Sequence, residues 1–192
     1  MGFQILAGVL FAVFYIVYYG KQVMMRKKGI TTNQLAQQKQ GREKWIAQGM
    51  GLATLAVCLG DLAAIAWNIT GLPVWARWAG AVVAALGDLV FYLSVHTIGD
   101  SWRAGVSSRQ ETDLVTGGIY SVSRNPAFLG FYLHYIGLLL LFFSWWLLAL
   151  TVLAIVFLHL QIIWVEEPFL PKTFGKAYTD YAAHTGRYFG RK

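Results

Sequence analysis

Two acids, Glu166 and Glu167, stand between an apolar run that ends at Val165 and the helix-interrupting Pro168. An α-helix presents partial negative charge at its C-terminus, so two carboxylates placed there are unfavourable unless a cation offsets them. The pair points to a cationic ligand, beside the plainer reading of two solvated acids at an interface. Upstream, Tyr120, Arg124 and Asn125 precede another apolar run that opens at Pro126. Downstream, Phe174, Tyr178 and Tyr181 offer aromatic faces, at a spacing that also fits the apolar side of an interfacial amphipathic helix.

These groups need elements to position them, and the composition says which kind. The chain is 57% hydrophobic and only 13% charged, against about 25% charged in an ordinary soluble domain. Five stretches predict membrane spans, at about residues 3–19, 46–67, 75–95, 127–143 and 145–165, judged against the roughly 17 to 25 apolar residues that a crossing helix needs. The expected fold is an all-α integral membrane domain covering 1–192, with no internal repeat. Ser144 alone separates the last two spans, and Trp145 and Trp146 suit a headgroup interface. One bent, re-entrant segment is the alternative there.

Net charge is +7, but the basic residues flank apolar spans, which fits membrane lipids as partners and no nucleic acid. Fifteen of the sixteen Lys and Arg residues fall in the loop after span one, the loop after span three and the tail, leaving Arg77 opposite. The positive-inside rule then gives a multi-pass protein with an outside N-terminus and a cytoplasmic C-terminus. The first span has basic residues after it and none before, the reverse of a cleavable signal, so it is kept as a mature helix. Cys58 is the single cysteine, which excludes internal disulfides. No carboxylate and histidine spacing suggests a metal site.

Gly71 and Pro73 predict a tight turn between spans two and three, and Gly49, Ala53, Gly80, Ala84 and Gly87 would let that pair approach closely. Asp61 and Asp88 fall inside those spans, where a carboxylate implies either a function or a specific partner. His134 and His159 read as hydrogen-bonded core histidines. The loop from His96 to Asn125, about thirty residues, is long enough to be functional. Within it Gly117 and Gly118 allow a turn close to a ligand. Pro126 suits a first helical turn, and Asn125 is placed as its cap.

Four motifs in order, Thr112-Asp-Leu-Val-Thr-Gly-Gly-Ile-Tyr120, Arg124-Asn-Pro126, Glu166-Glu167 and Phe174-Gly-x-x-Tyr178-x-x-Tyr181, resemble the C-terminal signature of the isoprenylcysteine carboxyl methyltransferase family. The resemblance covers about seventy residues, Thr112 to Tyr181, and the ordered combination of four motifs is more specific than any one alone. It implies S-adenosyl-L-methionine as cofactor and S-adenosyl-L-homocysteine as product, in a cytoplasmic pocket built from the loop before helix four and the end of helix five. A lipophilic methyl acceptor would enter from the bilayer. Thr112, Asp113, Leu114 and Val115 should contact the cofactor, Tyr120, Asn125 and Pro126 should line its pocket, and Glu166 or Glu167 should pair with its amino group. Arg124 or Arg187 would balance an acceptor carboxylate, although Arg124 also suits a phosphate headgroup or a helix cap.

The chain departs from the family at Asn125, where histidine is usual, at Ala127-Phe128, where Ser-Tyr is usual, and at Ile162, which replaces a substrate-side arginine. These departures touch the acceptor more than the cofactor. Carboxyl O-methylation of an isoprenylcysteine-like substrate is the first expectation. Phospholipid N-methylation, an NADPH-dependent reductase of the sterol-reductase type and a non-catalytic membrane scaffold are the alternatives.

Overall fold

Backbone polar groups in lipid must be satisfied within their own segment, so long apolar runs become helices. The computed structural model describes residues 1–30, 41–102 and 113–190. It contains α1 (Gly2–Lys27), α2 (Gly41–Trp67), α3 (Val74–Ile98), α4 (Pro126–Leu141), α5 (Trp145–Gln161) and α6 (Glu167–His184). Short 3-10 turns cover Gly99–Ser101 and Gly118–Ser121, and a π-helical turn, Ile162–Glu166, joins α5 to α6. No strand element occurs among the described residues.

Five helices run between the same two ends of the bundle. At one end, the Gln4 side chain donates to the Ile65 carbonyl (2.9 Å), the Gly71 amide to the Phe143 carbonyl (3.2 Å), and Arg77 Nε to the Leu141 carbonyl (2.9 Å). At the other end Lys28 meets Asp100 (2.8 Å) and the Tyr181 hydroxyl meets the Tyr120 carbonyl (2.6 Å). Four helical runs are long and apolar enough to cross a membrane: Gly2–Lys27, Gly41–Trp67, Val74–Ser101 and Trp145–His184. The helix Pro126–Leu141 is shorter, at 16 residues, about 24 Å of rise against about 30 Å of hydrocarbon.

The outward faces are apolar. Ile16, Leu52, Leu59, Leu86 and Val156 are exposed, as expected of side chains that face lipid. Trp67, Trp75, Trp78 and Trp145 are exposed at one end, and Trp45 and Trp164 towards the other, where indoles favour the interface. Arg77, alone on its side of the bundle in the charge pattern, is an anchor. Its guanidinium also bonds Asn68 Oδ1 (3.3 Å) and stacks over Phe3, 4.2 Å from the ring centre.

The neighbour relations differ from the expected pairing of spans two and three. Helix α3 packs mainly on α4, and α2 on α5. The small residues account for this. A Cβ added at Gly80 would lie 2.7 Å from the Gly137 carbonyl oxygen, one at Gly87 2.5 Å from the His134 nitrogen, and one at Gly137 2.3 Å from the Ala84 nitrogen. Backbone lies against backbone along this seam, which only small residues permit. Asp88 and His134, both buried, cross the same seam at 2.7 Å, so Asp88 has its partner and His134 is a bonded core histidine as read. Asp61 is buried with neither oxygen hydrogen-bonded among the described residues.

On the α2/α5 side, a Cβ at Gly49 would lie 2.2 Å from an edge atom of the Phe157 ring. That neighbour is a side chain and can move; the neighbour of Gly137 is backbone and cannot. Gly137→Ala should therefore destabilise the protein by roughly 3 kcal/mol, the upper part of the overpacking range, and Gly49→Ala by about 1 kcal/mol. Thermal unfolding of both variants in the same detergent checks the order, and an equal loss would remove the distinction.

Candidate functional site

The site forms where the loop before α4, the α5/α6 junction and the C-terminal tail meet. Thr112 lies outside the described residues. The amide of Asp113 donates to Ser101 Oγ (3.1 Å) at the end of the α3 turn, and Asp113, Leu114 and Val115 continue without helix towards Gly117. Glu167 of the α5/α6 junction pairs with Arg124 and Arg187 rather than with these three. Gly118 has φ +57°, and a Cβ there would sit 2.9 Å from Thr97 Cγ2, so the 3-10 turn rests directly on the end of α3.

That turn delivers Tyr120, buried, and then Ser123, Arg124 and Asn125 at the mouth of α4. Pro126 begins the helix as expected. Asn125 holds the cap position, but its side chain makes no cap bond. The Asn125 amide instead donates to Ser123 Oγ (3.1 Å), and its Nδ2 donates to the Arg187 carbonyl (3.2 Å). The residue expected to cap a helix instead ties down the tail. A second tie is the Arg124 amide, which donates to the Gly186 carbonyl (3.0 Å).

The acids do not stand at a helix C-terminus. The chain continues from α5 through the π turn into α6, with Glu166 at its cap position, Glu167 in its first turn and Pro168 at its start. A proline ring clashes with the carbonyl four residues back, here Trp164, and the wider π turn is the accommodation that lets the helical path continue. Inside a continuous helical path no unsatisfied helix C-terminus faces the acids, which removes the electrostatic reason for requiring a cation. The cations are present nonetheless, as arginines.

Arg187 donates from Nε to Glu167 Oε1 (2.9 Å) and from Nη2 to Oε2 (2.6 Å), and Arg124 Nη2 lies 3.2 Å from Oε1. Arg124 Nη1 reaches the Tyr178 hydroxyl (3.2 Å), while its Nε is buried with no hydrogen-bond partner among the described residues. The bond to Glu167 raises the Arg187 pKa above its ordinary value, against an opposing effect of burial. Glu166 lies within electrostatic reach of Tyr120, Tyr132 and Tyr178. The structure thus brings Tyr120, Arg124, Asn125, Glu167 and Arg187 together, with Glu166 beside them.

Tyr178 and Tyr181 close the site from α6. Gly175, at φ +56°, kinks that helix, and beyond the kink Tyr178 is buried and Tyr181 is bonded to the Tyr120 carbonyl. They staple α6 to the loop before α4. Two further polar residues escaped the sequence reading, Tyr132 and Tyr188, whose hydroxyls meet at 3.2 Å; His159, read as a hydrogen-bonded histidine, meets the Tyr188 hydroxyl through Nδ1. Only the adjacency of Tyr188 to Arg187 hinted at this group, because the tail has no periodicity to place it.

Burial pushes the Tyr181 pKa up to about 12, with Tyr178 adding and Arg124 opposing. The hydroxyl must stay protonated to donate to the Tyr120 carbonyl. Its stabilising effect should therefore be complete below the unfolded value of about 10 and lost as pH rises towards about 12. Tyr181→Phe should lower stability below pH 10 and flatten the alkaline loss between those values, measured by thermal unfolding across pH. An alkaline loss identical to wild type would contradict the assignment.

Long apolar helices around a small-residue seam, with an arginine and carboxylate site at one end, define an integral membrane protein whose polar chemistry sits at one face of the bundle. The sequence model of the phospholipid methyltransferase family matches residues 75–177, and the chain belongs to that family, which includes the isoprenylcysteine carboxyl methyltransferases. The matched segment runs from α3 into α6 and takes in Tyr120, Arg124, Asn125, Glu166 and Glu167, while Tyr178, Tyr181 and Arg187 lie beyond it.

The chain is 32% identical over 109 residues to the protein-S-isoprenylcysteine O-methyltransferase of Saccharomyces cerevisiae, covering 56% of this chain and 46% of that protein. It is 32% identical over 125 residues to the nickel-cobalt-cadmium resistance protein NccN of Alcaligenes xylosoxydans xylosoxydans, covering 64% and 57%. It is 27% identical over 114 residues to the protein-S-isoprenylcysteine O-methyltransferase of Tribolium castaneum, covering 58% and 41%. The chain spans about half the length of these relatives.

Proposed function

We propose that the protein is a methyltransferase that uses S-adenosyl-L-methionine to methylate a lipophilic acceptor reaching the site from the bilayer, and releases S-adenosyl-L-homocysteine. The observation that carries this is the family match over residues 75–177, the segment that folds Tyr120, Arg124, Glu166 and Glu167 into one place. When bound, the cofactor supplies an electrophilic methyl group on a sulfonium.

The residues present fit such a ligand. The Nε of Arg124, buried without a hydrogen-bond partner among the described residues, is a donor for its α-carboxylate, and Glu166 is an acid for its ammonium. Glu167 holds the frame between both arginines, and Glu166, the neighbouring acid of the same family motif, is the one we assign to the cofactor's amino group. Tyr120, Asn125 and Pro126 line the same pocket, and Thr112, Asp113, Leu114 and Val115 contact the cofactor from the preceding loop. Alignment of the reactants and exclusion of water are the chain's main contributions to an in-line displacement. The whole of 1–192 acts as one polytopic domain, with the N-terminus outside and this site on the cytoplasmic face, as the basic loops favour.

The relatives named as isoprenylcysteine O-methyltransferases support a carboxyl acceptor. A second reading, an amine such as that of a phospholipid headgroup, has its own support. Arg124 and Arg187, the candidates for balancing an acceptor carboxylate, are both bonded to Glu167, and Ile162 is fully buried and apolar. Transfer of labelled methyl groups to a prenylcysteine analogue and to phosphatidylethanolamine separates the two, and turnover of the phospholipid alone would overturn the carboxyl reading. Glu166→Gln should weaken S-adenosyl-L-homocysteine binding about tenfold, the loss of one charged hydrogen bond. An unchanged affinity in calorimetry would remove Glu166 from the role.

A further inference from the structure

At the end of the bundle opposite the arginine and carboxylate site, a cavity of about 530 Å³ opens between the start of α1 and the start of α3. Phe3, Leu6 and Trp78 give it an apolar wall, and Asn68 and Arg77 reach it with polar groups. Its volume falls in the range of about 300–1,000 Å³ that small-molecule sites occupy. The surrounding frame is tied in place: Gln4 of α1 donates to the Ile65 carbonyl (2.9 Å) and the Ala66 carbonyl (3.3 Å) at the end of α2.

Arg77 is a buried cation whose described partners are all neutral. Its Nε donates to the Leu141 carbonyl (2.9 Å) and its Nη2 to Asn68 Oδ1 (3.3 Å), while the Phe3 and Phe142 ring centres lie 4.2 and 5.0 Å from the guanidinium carbon. It forms no ion pair among the described residues, and Nη1 has no acceptor there. A buried charge is tolerated when an opposite charge and hydrogen bonds replace its lost water. Ring contact engages the flat of a guanidinium and leaves its donor edge for a planar, bidentate partner such as a phosphate.

Depth and composition narrow the anion. Arg77 stands in the first turn of α3, between the exposed Trp75 and Trp78, whose indoles favour headgroup depth. The apolar wall suits a hydrocarbon chain better than a soluble ion. None of the cavity's lining residues carries a carboxylate, so the ammonium of a zwitterionic headgroup would find no acid, whereas a net negative headgroup meets Arg77.

We infer that this cavity binds an anionic glycerophospholipid, with the phosphate on the Arg77 guanidinium and an acyl chain against Phe3, Leu6 and Trp78. The site is separate from methyl transfer and does not rest on that reading. Its occupant neutralises Arg77 and fills the gap between α1 and α3.

The test uses the full chain in a neutral detergent, titrated with phosphatidylglycerol and with phosphatidylcholine in high salt, which screens the exposed basic loops at the other end. Native mass spectrometry should retain one phosphatidylglycerol per chain with a preference of about tenfold over phosphatidylcholine, and the anionic lipid should raise the unfolding temperature, as a ligand of the folded state does. Phosphatidylglycerol with a diazirine in its acyl chain should crosslink to the peptides that contain Leu6 or Trp78. Arg77→Gln should weaken retention about tenfold, the loss of a charge-assisted contact. Because that variant also loses the bond to Leu141, Leu6→Trp is the second: it keeps Arg77, fills the cavity, and should reduce retention and crosslinking as far while circular dichroism stays that of wild type.

The crosslink map is made on the wild-type chain, so it decides the matter even where a variant does not fold. Equal retention of the two lipids, crosslinks confined to the basic end, or a wild-type preference kept by folded Leu6→Trp protein would overturn the site. Glycerol phosphate competing as strongly as the intact lipid would overturn it too, since the cavity would then take a soluble anion and no chain.

Discussion

The shared carboxylate of Glu167 is the contact on which the site depends. It joins a residue before α4, the first turn of α6 and the tail beyond α6, segments also linked by hydrogen bonds at Gly186 and Arg187 and by those of Tyr178 and Tyr181. The bidentate fork of Arg187 fixes the direction of the carboxylate as well as its position. Glu167 and Arg124 are largely buried, with side chains 17% and 13% exposed. Removing one member of such a desolvated set strands the charges that remain, so the cost exceeds what the intact pairing contributes on its own. The Arg124 Nε, buried with no hydrogen-bond partner among the described residues, suits the carboxylate end of an amino-acid ligand.

The bundle makes this contact possible by holding α3 and α4 at backbone distance. Gly80, Ala84 and Gly87 face Gly130, His134 and Gly137 so closely that the two helices behave as one unit. The end of α3 therefore fixes the turn at Gly118, and that turn fixes Tyr120 and Arg124 relative to the start of α4. On the other side α2 holds α5, whose continuation into α6 brings Glu166 and Glu167 to the same face. Packing energy in the apolar interior is thus translated into side-chain placement at the membrane surface.

Much of this was legible in the residues, and the limits have physical causes. Hydropathy located the five apolar segments, because satisfying backbone groups in lipid leaves few options. Small residues marked helices that approach something closely, yet they carry no label for the partner, so Gly80 and Gly87 were assigned to α2 when they face α4. Pro168 looked like a terminator because its lost amide hydrogen is visible in sequence, whereas the π turn that absorbs its clash is not. Glu166, Glu167, Tyr120 and Arg124 were recognisable as a group from the ordered motifs. Asn125 was placed correctly but bonds the tail, and Tyr132, Tyr188 and His159 were brought together by a tail whose path no periodicity encodes.

The central claim is that this arginine and carboxylate site binds S-adenosyl-L-methionine and its product, as a methyltransferase requires. Calorimetric titration of the purified protein with S-adenosyl-L-homocysteine, alongside NADPH, tests it directly. The account predicts saturable binding of S-adenosyl-L-homocysteine at one site per chain and none of NADPH. Binding of NADPH alone, or of neither ligand, would contradict it.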